Sequence, residues 1–479
     1  MPLILPGNVG SATAATTYSI TNSCRWNYAD SPAMNKSQTS GNTKTWTYSW
    51  WCKRGEIGGS AEKDWFKVYA SGSNLFHVRF NTNDDLYCEI NNGSAYGFTT
   101  NHKFRDPSAW MHFALIMDTT QGTDTNRMKL FVNGKNELTD GGGFSSITYP
   151  AENADLAINN SAATFYLGTT HSGTEEFDGY MADVVLLDGT AAAIGDLGEN
   201  DEDSPTIWKP KDPSGLTFGN NGFHLDFKDS ANLGNDANGG TDLGETNLAA
   251  VDQATDTPTN NFCTMNPLDD YYPNSTFSEG NCKIVTNSSN YSFNTGTIGL
   301  TAGKWYFEAK CATSAGSDKN VIGISAVPSD ATTNYLGEDA YMWSYYGQAG
   351  NSVTGGTSSS YGDSYTTNDI VGVAIDLDNN KLYFAKNNTW QDSGDPTSGA
   401  TGTGALSITA VTSTTSGVYF PAMGDYSSDS STTWEINFGN PVAALTSAAN
   451  DANGYGNFEY APPSGYISIC TKNLGSDGG

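Results

Sequence analysis

Glycan hydrolysis is the most demanding chemistry that the acidic residues of this chain suggest. A retaining glycosidase needs two carboxyl groups about 5–5.5 Å apart across the scissile bond. The nearest local candidate is Glu175-Glu176-Phe177-Asp178, which in extended form places Glu176 and Asp178 on one face with no third acid at the right step. These residues read as solvated loop acids. Nucleophilic catalysis fares no better. The five histidines (77, 102, 112, 171 and 224) accompany no Gly-x-Ser-x-Gly elbow, and alternation makes His112 in WMHFAL a strand residue at a sheet face. The glycine-rich GGTSSSYG (355–362) lacks the phosphate-cradling lysine pattern.

Oxygen ligands from turn residues suit calcium. Asn83-Asp84-Asp85, Asp201 with Asp203, and Asp376 with Asp378 are the candidates, although no EF-hand pattern occurs and turn chemistry alone accounts for the last pair. The metal assignment stays open; no cofactor is expected beyond a structural Ca²⁺ as an option. Sugar binding without bond cleavage needs aromatic platforms beside amide and carboxylate hydrogen-bonding groups. LGEDAYMWSYYGQAGN (336–351) offers Tyr341, Trp343, Tyr345 and Tyr346, and Trp390 follows Asn387-Asn388-Thr389. These five are the candidate ligand-binding residues. The competing reading makes MWSYYG a core strand with alternate aromatics buried, and it makes Trp50, Trp51 and Trp110 sandwich core.

The elements that must position such groups are strands. The 479 residues include 53 Gly and 12% aromatics, and Asn, Asp, Ser and Thr fill the gaps between short apolar runs. That mixture favours pleated, half-buried strands joined by turns, so helix should be scarce. TWTYSWWCKRG (45–55), NLFHVRFN (74–81), DLYCEIN (85–91), AWMHFALIMD (109–118) and GYMADVVLLDG (179–189) show period-2 alternation or short apolar cores. Asn133-Gly134 marks a two-residue hairpin turn. DIVGVAIDLDNNKLYFAK reads as a second hairpin turning at Asp378-Asn379-Asn380. Between them lies a stretch rich in Asn, Asp, Gly and Thr, with GFHLDF (222–227) as its one strand-like piece. We expect an all-β chain of two antiparallel β-sandwich, jelly-roll-like domains: 1–190 and 271–479, the latter with a C-terminal extension, joined by a loop-rich connector at 191–270.

The formal charge is −29, from 52 acidic and 23 basic residues, which repels phosphate backbones and argues against nucleic acid as a partner. MPLILPG lacks a basic n-region, so no secretory leader is expected, and no run approaches the ~20 apolar residues of a membrane span. Without secretion, the Asn-x-Ser/Thr triplets at Asn35, Asn92, Asn274 and Asn387 are discounted as glycan acceptors. Seven scattered cysteines with no Cys-x-x-Cys pair read as buried free thiols.

Two family resemblances agree with this outline. TWTYSWWCKRG, WMHFALIMD, MKLFVNGK, FYLGTT and FDGYMADVVLLDG, in that order over about residues 15–190, resemble the concanavalin A-like (laminin-G-like) lectin/glucanase superfamily. The acid run that the superfamily's glucanases carry is absent here, so the resemblance implies binding without catalysis. GKWYFEAK, NVIGISAV, DIVGVAIDLDNNKLYFAKNNTW, GVYFPAMG and WEINFG, over about 275–445, resemble a SPRY domain. That resemblance implies a second sandwich, whose end loops recognise partners. The whole arrangement, including DTPTNNFCTMNP (256–267), is similar to structural proteins of tailed bacteriophages. It implies a virion location as a fibre, decoration or tail appendage, contact with other virion proteins and host-surface carbohydrate, and a homotrimer. A purely structural capsid or tail component and a polysaccharide depolymerase are the alternatives.

Overall fold

The computed structural model describes residues 18–59, 61–269, 275–328 and 335–477, and within these the protein is built almost wholly from antiparallel strands. MPLILPG and Asn274 lie outside the described residues. The chain divides into two compact units, one ending at Thr259 and the other beginning at Asn260. The α-helix found among the described residues is Thr471–Asp477, and none of their helices is long and apolar enough to cross a membrane. All seven cysteines are buried free thiols.

The first unit is a sandwich of two eight-stranded sheets. One sheet centres on Thr45–Arg54, flanked by Met111–Asp118 and Gly179–Asp188. The other runs in the order Phe144–Thr148, Ala95–Thr100, Leu86–Asn91, Asn74–Phe80, Lys63–Ser71, Thr164–Leu167, Ala33–Ser37 and Gly244–Thr246. Alternation decides what each sheet buries. Trp46, Tyr48, Trp50 and Cys52 point into the common core, where they meet Phe66, Val68, Phe76, Val78 and Phe80 of the opposing sheet. Asn133-Gly134 forms the expected tight turn, both residues at positive φ (47° and 76°), and joins Met128–Val132 to Lys135–Asn136.

Residues 191–259 are part of this sandwich rather than a connector. Phe223–Leu225 pairs with Gly179–Asp188, Gly244–Thr246 with Ala33–Ser37, and Gln253–Ala254 with Ser23–Trp26. Burial explains why. The outer face of the first sheet carries Trp51, Trp110, Ala114, Tyr180, Val185 and Leu187, which would be exposed without a cover. Leu197, Phe218 and Ala254 supply that cover, so Trp51 and Trp110 are buried outside the central core while Trp50 sits within it.

The second unit is also a two-sheet sandwich. Its nine-stranded sheet includes Lys283–Val285, Thr433–Asn437, Lys304–Thr313, Ile370–Asp376 and Lys381–Lys386 as neighbours. Its six-stranded sheet runs Ser292–Thr295, Phe420–Asp425, Asn320–Ser325, Met342–Tyr346, Asn351–Thr354 and Thr357–Ser360. The hairpin read from DIVGVAIDLDNNKLYFAK is present, with Asp376 opposite Lys381.

Two buried acids make this unit sensitive to pH. Burial raises Glu308 from 4.5 to about 7, against three donors at 2.9 Å, the Tyr306 hydroxyl and the backbone N–H groups of Glu459 and Tyr460. Burial likewise lifts Asp425 from 3.8 to about 7. A carboxyl group whose pKa is raised on folding stabilises the fold below its unfolded pKa, and that stabilisation is lost as pH climbs through the folded value. The second unit should therefore weaken between pH 4.5 and 8, on the order of 3 kcal/mol per group. Hydrogen exchange of Lys304–Thr313 at pH 5 and pH 8, corrected for intrinsic rates, checks this. Equal protection at both values would contradict it.

Candidate functional site

Register corrects the expectation of a single aromatic platform for Trp343 and Tyr345, which are buried, while Tyr341, Tyr346 and Trp390 are half-buried. Met342–Tyr346 is a strand paired with Asn320–Ser325 on one side and Asn351–Thr354 on the other, so its side chains alternate between two covered faces. Trp343 and Tyr345 enter the inter-sheet core, where the Tyr345 ring lies 4.9 Å from Tyr365 and 5.4 Å from Phe384. Tyr341 is half-buried against the same core, and Trp390 is half-buried against Tyr306 and Tyr383. Tyr346 faces the opposite way and joins a half-buried array with Tyr291, Tyr335 and Tyr426, whose neighbouring ring centroids are 4.3–6.1 Å apart. Four separate segments supply that array, so no local pattern announces it.

Of the acids considered as calcium ligands, Asp84, Asp85, Asp201, Asp376 and Asp378 accept from protein donors, whereas Asp203 is exposed. Asp84 pairs with Arg54 at 3.0 Å and Arg105 at 2.8 Å, and Asp85 accepts from Asn81 at 2.6 Å and from Lys103. Asp201 accepts from the backbone N–H groups of Asp203 and Ser204. Asp376 holds Asn379, and Asp378 accepts from the N–H of Gly303. His112 is buried between Ser49 and Trp208. Because the indole of Trp208 donates to Nδ1, the ring proton sits on Nε2 and is donated to the Ser49 hydroxyl at 2.8 Å. That arrangement leaves no lone pair to activate the serine. His102 and His224 are paired with Glu137 and Asp183 at 2.9 and 2.6 Å.

The richest assembly lies on the solvent side of the second sheet of the first unit. Phe66, Val68, Phe76, Val78, Cys88, Ile90 and Phe165 point inward, so the residues between them line the other face. Register then places Asn35, Tyr166, Lys67, His77 and Glu89 in one row across five strands. A second row runs Asp64, Arg79, Tyr87 and Thr99. The guanidinium of Arg79 lies 4.8 Å over the Tyr87 ring and 2.6 Å from Glu62, while Tyr69 stacks on His171 at 3.7 Å. Half-buried tyrosines beside amides and charges can take up sugar rings and hydroxyls together.

At one edge of this face Asp64, His77 and Glu175 bring one donor atom each to within 4.8 Å of one another. His77 Nε2 and Asp64 Oδ1 are in direct contact. Burial, reinforced by the neighbouring Glu175 carboxylate, pushes Asp64 up to about 9. Burial, with Lys67 and Arg79 nearby, pushes His77 down to about 3. The spacing of the two acids approaches that of a glycosidase pair, but Asp64 has no exposed surface to meet a glycosidic oxygen. Glu176 and Asp178, the pair suggested by the local sequence, are both buried, and Asp178 accepts from the N–H of Tyr28.

Comparison with known proteins fits these two units. Residues 27–193 match the concanavalin A-like lectin/glucanases superfamily, and residues 304–425 match the SPRY domain. Ran-binding protein 9 and Ran-binding protein 10 of Danio rerio are each 34% identical to this chain over 92 residues, 19% of this chain and 15% of their own length. Among solved structures, the SPRY domain of human HERC1 is 15% identical and covers 36% of this chain and 96% of its own, with a TM-score of 0.29. A Bacteroides ovatus protein named for carbohydrate binding is 16% identical and covers 48% of this chain and 60% of its own, with a TM-score of 0.33. The protein thus carries a domain of the concanavalin A-like lectin/glucanase superfamily followed by a SPRY domain.

Proposed function

We propose that this protein is a non-catalytic recognition subunit of a bacteriophage particle, a fibre, decoration or tail appendage, whose lectin-like unit binds host-surface glycan. The accessible members of this row, Asn35, Tyr166, Lys67 and Glu89, carry the reading, because they set an aromatic ring among hydrogen-bonding groups on one sheet face. Rigid strands hold these groups in place, so little ordering entropy opposes binding. The closed position of Asp64 supports a reading of binding without hydrolysis. The virion setting draws on the likeness of the domain pair and of DTPTNNFCTMNP to phage structural proteins. The half-buried tyrosines 291, 335, 346 and 426 give the SPRY unit a surface suited to a neighbouring protein of the particle.

Binding of the full chain to an array of bacterial envelope polysaccharides tests the glycan reading. Tyr166→Ala is expected to weaken the response about tenfold or more, a loss of roughly 1.4 kcal/mol, while Tyr346→Ala leaves it unchanged. Silence across the array would favour a purely structural particle component. Release of new reducing ends would make the protein a depolymerase.

A further inference from the structure

We propose that Asp64, His77 and Glu175 bind one divalent metal ion, and that the ion is zinc. Backbone structure delivers the three donors. Asp64 and His77 stand on the paired strands Lys63–Ser71 and Asn74–Phe80; alternation turns His77 away from the core, and a bulge at Trp65 turns Asp64 to the same side. Glu175 comes from the loop before Gly179–Asp188, and that loop is pinned beside the start of Lys63–Ser71, an interior strand of the sheet. The N–H of Asp64 donates to the carbonyl of Glu175 at 2.7 Å, and Glu176 forms a parallel bridge with Asp64. The third donor is therefore held by backbone hydrogen bonding and does not rely on a freely moving side chain.

An independent observation points to a missing cation. Oδ2 of Asp64 is buried and accepts no hydrogen bond from a protein donor, and the whole residue is inaccessible to solvent. Two carboxyl groups this close in a buried place must be joined either by a shared proton or by a cation, and a divalent ion would satisfy Asp64 Oδ2 and Glu175 together. Arg79 does not close that gap. Its guanidinium is 2.6 Å from Glu62 and 4.0 Å from Glu175. An ion about 2.0–2.2 Å from each donor would hold tetrahedral ligands roughly 3.4 Å apart, so the 4.8 Å limit on the present spacing requires only small side-chain adjustments.

Donor chemistry selects the ion. Calcium takes six to eight oxygens, about twice what this cluster offers, whereas one imidazole and two carboxylates suit zinc. The Glu175 side chain is 35% exposed, so the ion would be reachable from solvent and could carry a water or a ligand oxygen.

Zinc chloride titrated calorimetrically into chelator-stripped full-length protein tests the site, with metal content read by mass spectrometry after dialysis. The expected result is one zinc per chain, a higher melting temperature with zinc than without, and at least a thirtyfold loss of affinity in Glu175→Gln. His77→Gln should lose the site as well, and circular dichroism of both variants reports whether they fold. Zinc content well below one per chain would overturn the proposal, as would wild-type affinity in a folded Glu175→Gln. Tighter binding of calcium chloride than of zinc chloride would overturn the choice of ion. None of these readouts involves a sugar, so the site stands or falls apart from glycan recognition.

Discussion

Replacing Asp84 with alanine is expected to destabilise the first unit by about 3–5 kcal/mol, the range for breaking a buried ion pair by removing one partner. Arg54 and Asp84 have side chains only 3% and 2% exposed and lie 3.0 Å apart. The guanidinium also donates to the carbonyls of Phe104 and Glu56 and packs 4.1 Å over the Phe80 ring. Asp84 completes the arrangement by accepting from the N–H of Gly58 at 2.8 Å. Burial alone would push this carboxyl up, yet Gly58, Arg105 and Arg54 together hold it below its usual range. Alanine would leave the Arg54 charge buried without its counterion and the Gly58 N–H without its acceptor. Arg105→Ala should cost under about 1 kcal/mol, because that side chain is 57% exposed. A shift of the urea midpoint at constant m-value measures both effects. Arg54→Met combined with Asp84→Ala should recover much of the single-variant loss, since an apolar pair needs no counterion. A cost below 1 kcal/mol for Asp84→Ala would remove the pair from any structural role.

Alternation was enough to read the strands and their inward residues, because a strand whose one face is buried must repeat every second position. Phe76, Val78 and Phe80 show this, and so does the hairpin Ile370–Lys386. The same rule could not tell whether the other face is covered as well. Trp343 and Tyr345 therefore looked available in MWSYYG, while the structure buries them between sheets. Residues 191–259 were harder still. The strand-like GFHLDF is present as Phe223–Leu225, but Gly244–Thr246 and Gln253–Ala254 are three and two residues long, too short for a period to register. Their partners lie far away in the chain, as when Asp256 binds Lys53 and the Trp110 indole, both at 2.8 Å. Asp64, His77 and Glu175 escaped notice for a related reason. Strand register and a loop bridge, neither visible in spacing, bring them together.

Trp65→Ala is the second substitution with a large expected effect, about 3–5 kcal/mol, and it should reach beyond the core. Trp65 is fully buried, with ring centroids 4.8 Å from Trp50, 4.2 Å from Phe80 and 4.8 Å from Phe113. It is also the extra residue of a bulge, because Asp64 pairs with Arg79 while Phe66 pairs with Val78. The bulge sends Trp65 and Phe66 inward in succession and so keeps Asp64 on the solvent side beside His77. Emptying the indole's place would remove the anchor for that local path, displacing the Asp64 carboxylate as well as opening a cavity. Trp65→Phe separates the two consequences. The indole N–H has no hydrogen-bond partner, so phenylalanine forfeits some packing area but no hydrogen bond and still fills most of the site. Its cost should stay below about 2 kcal/mol, on the scale of conservative core replacements, and zinc binding should survive in it. Alanine should lose both stability and zinc affinity. Equal urea midpoints for the two variants would show that filling this site contributes nothing to stability.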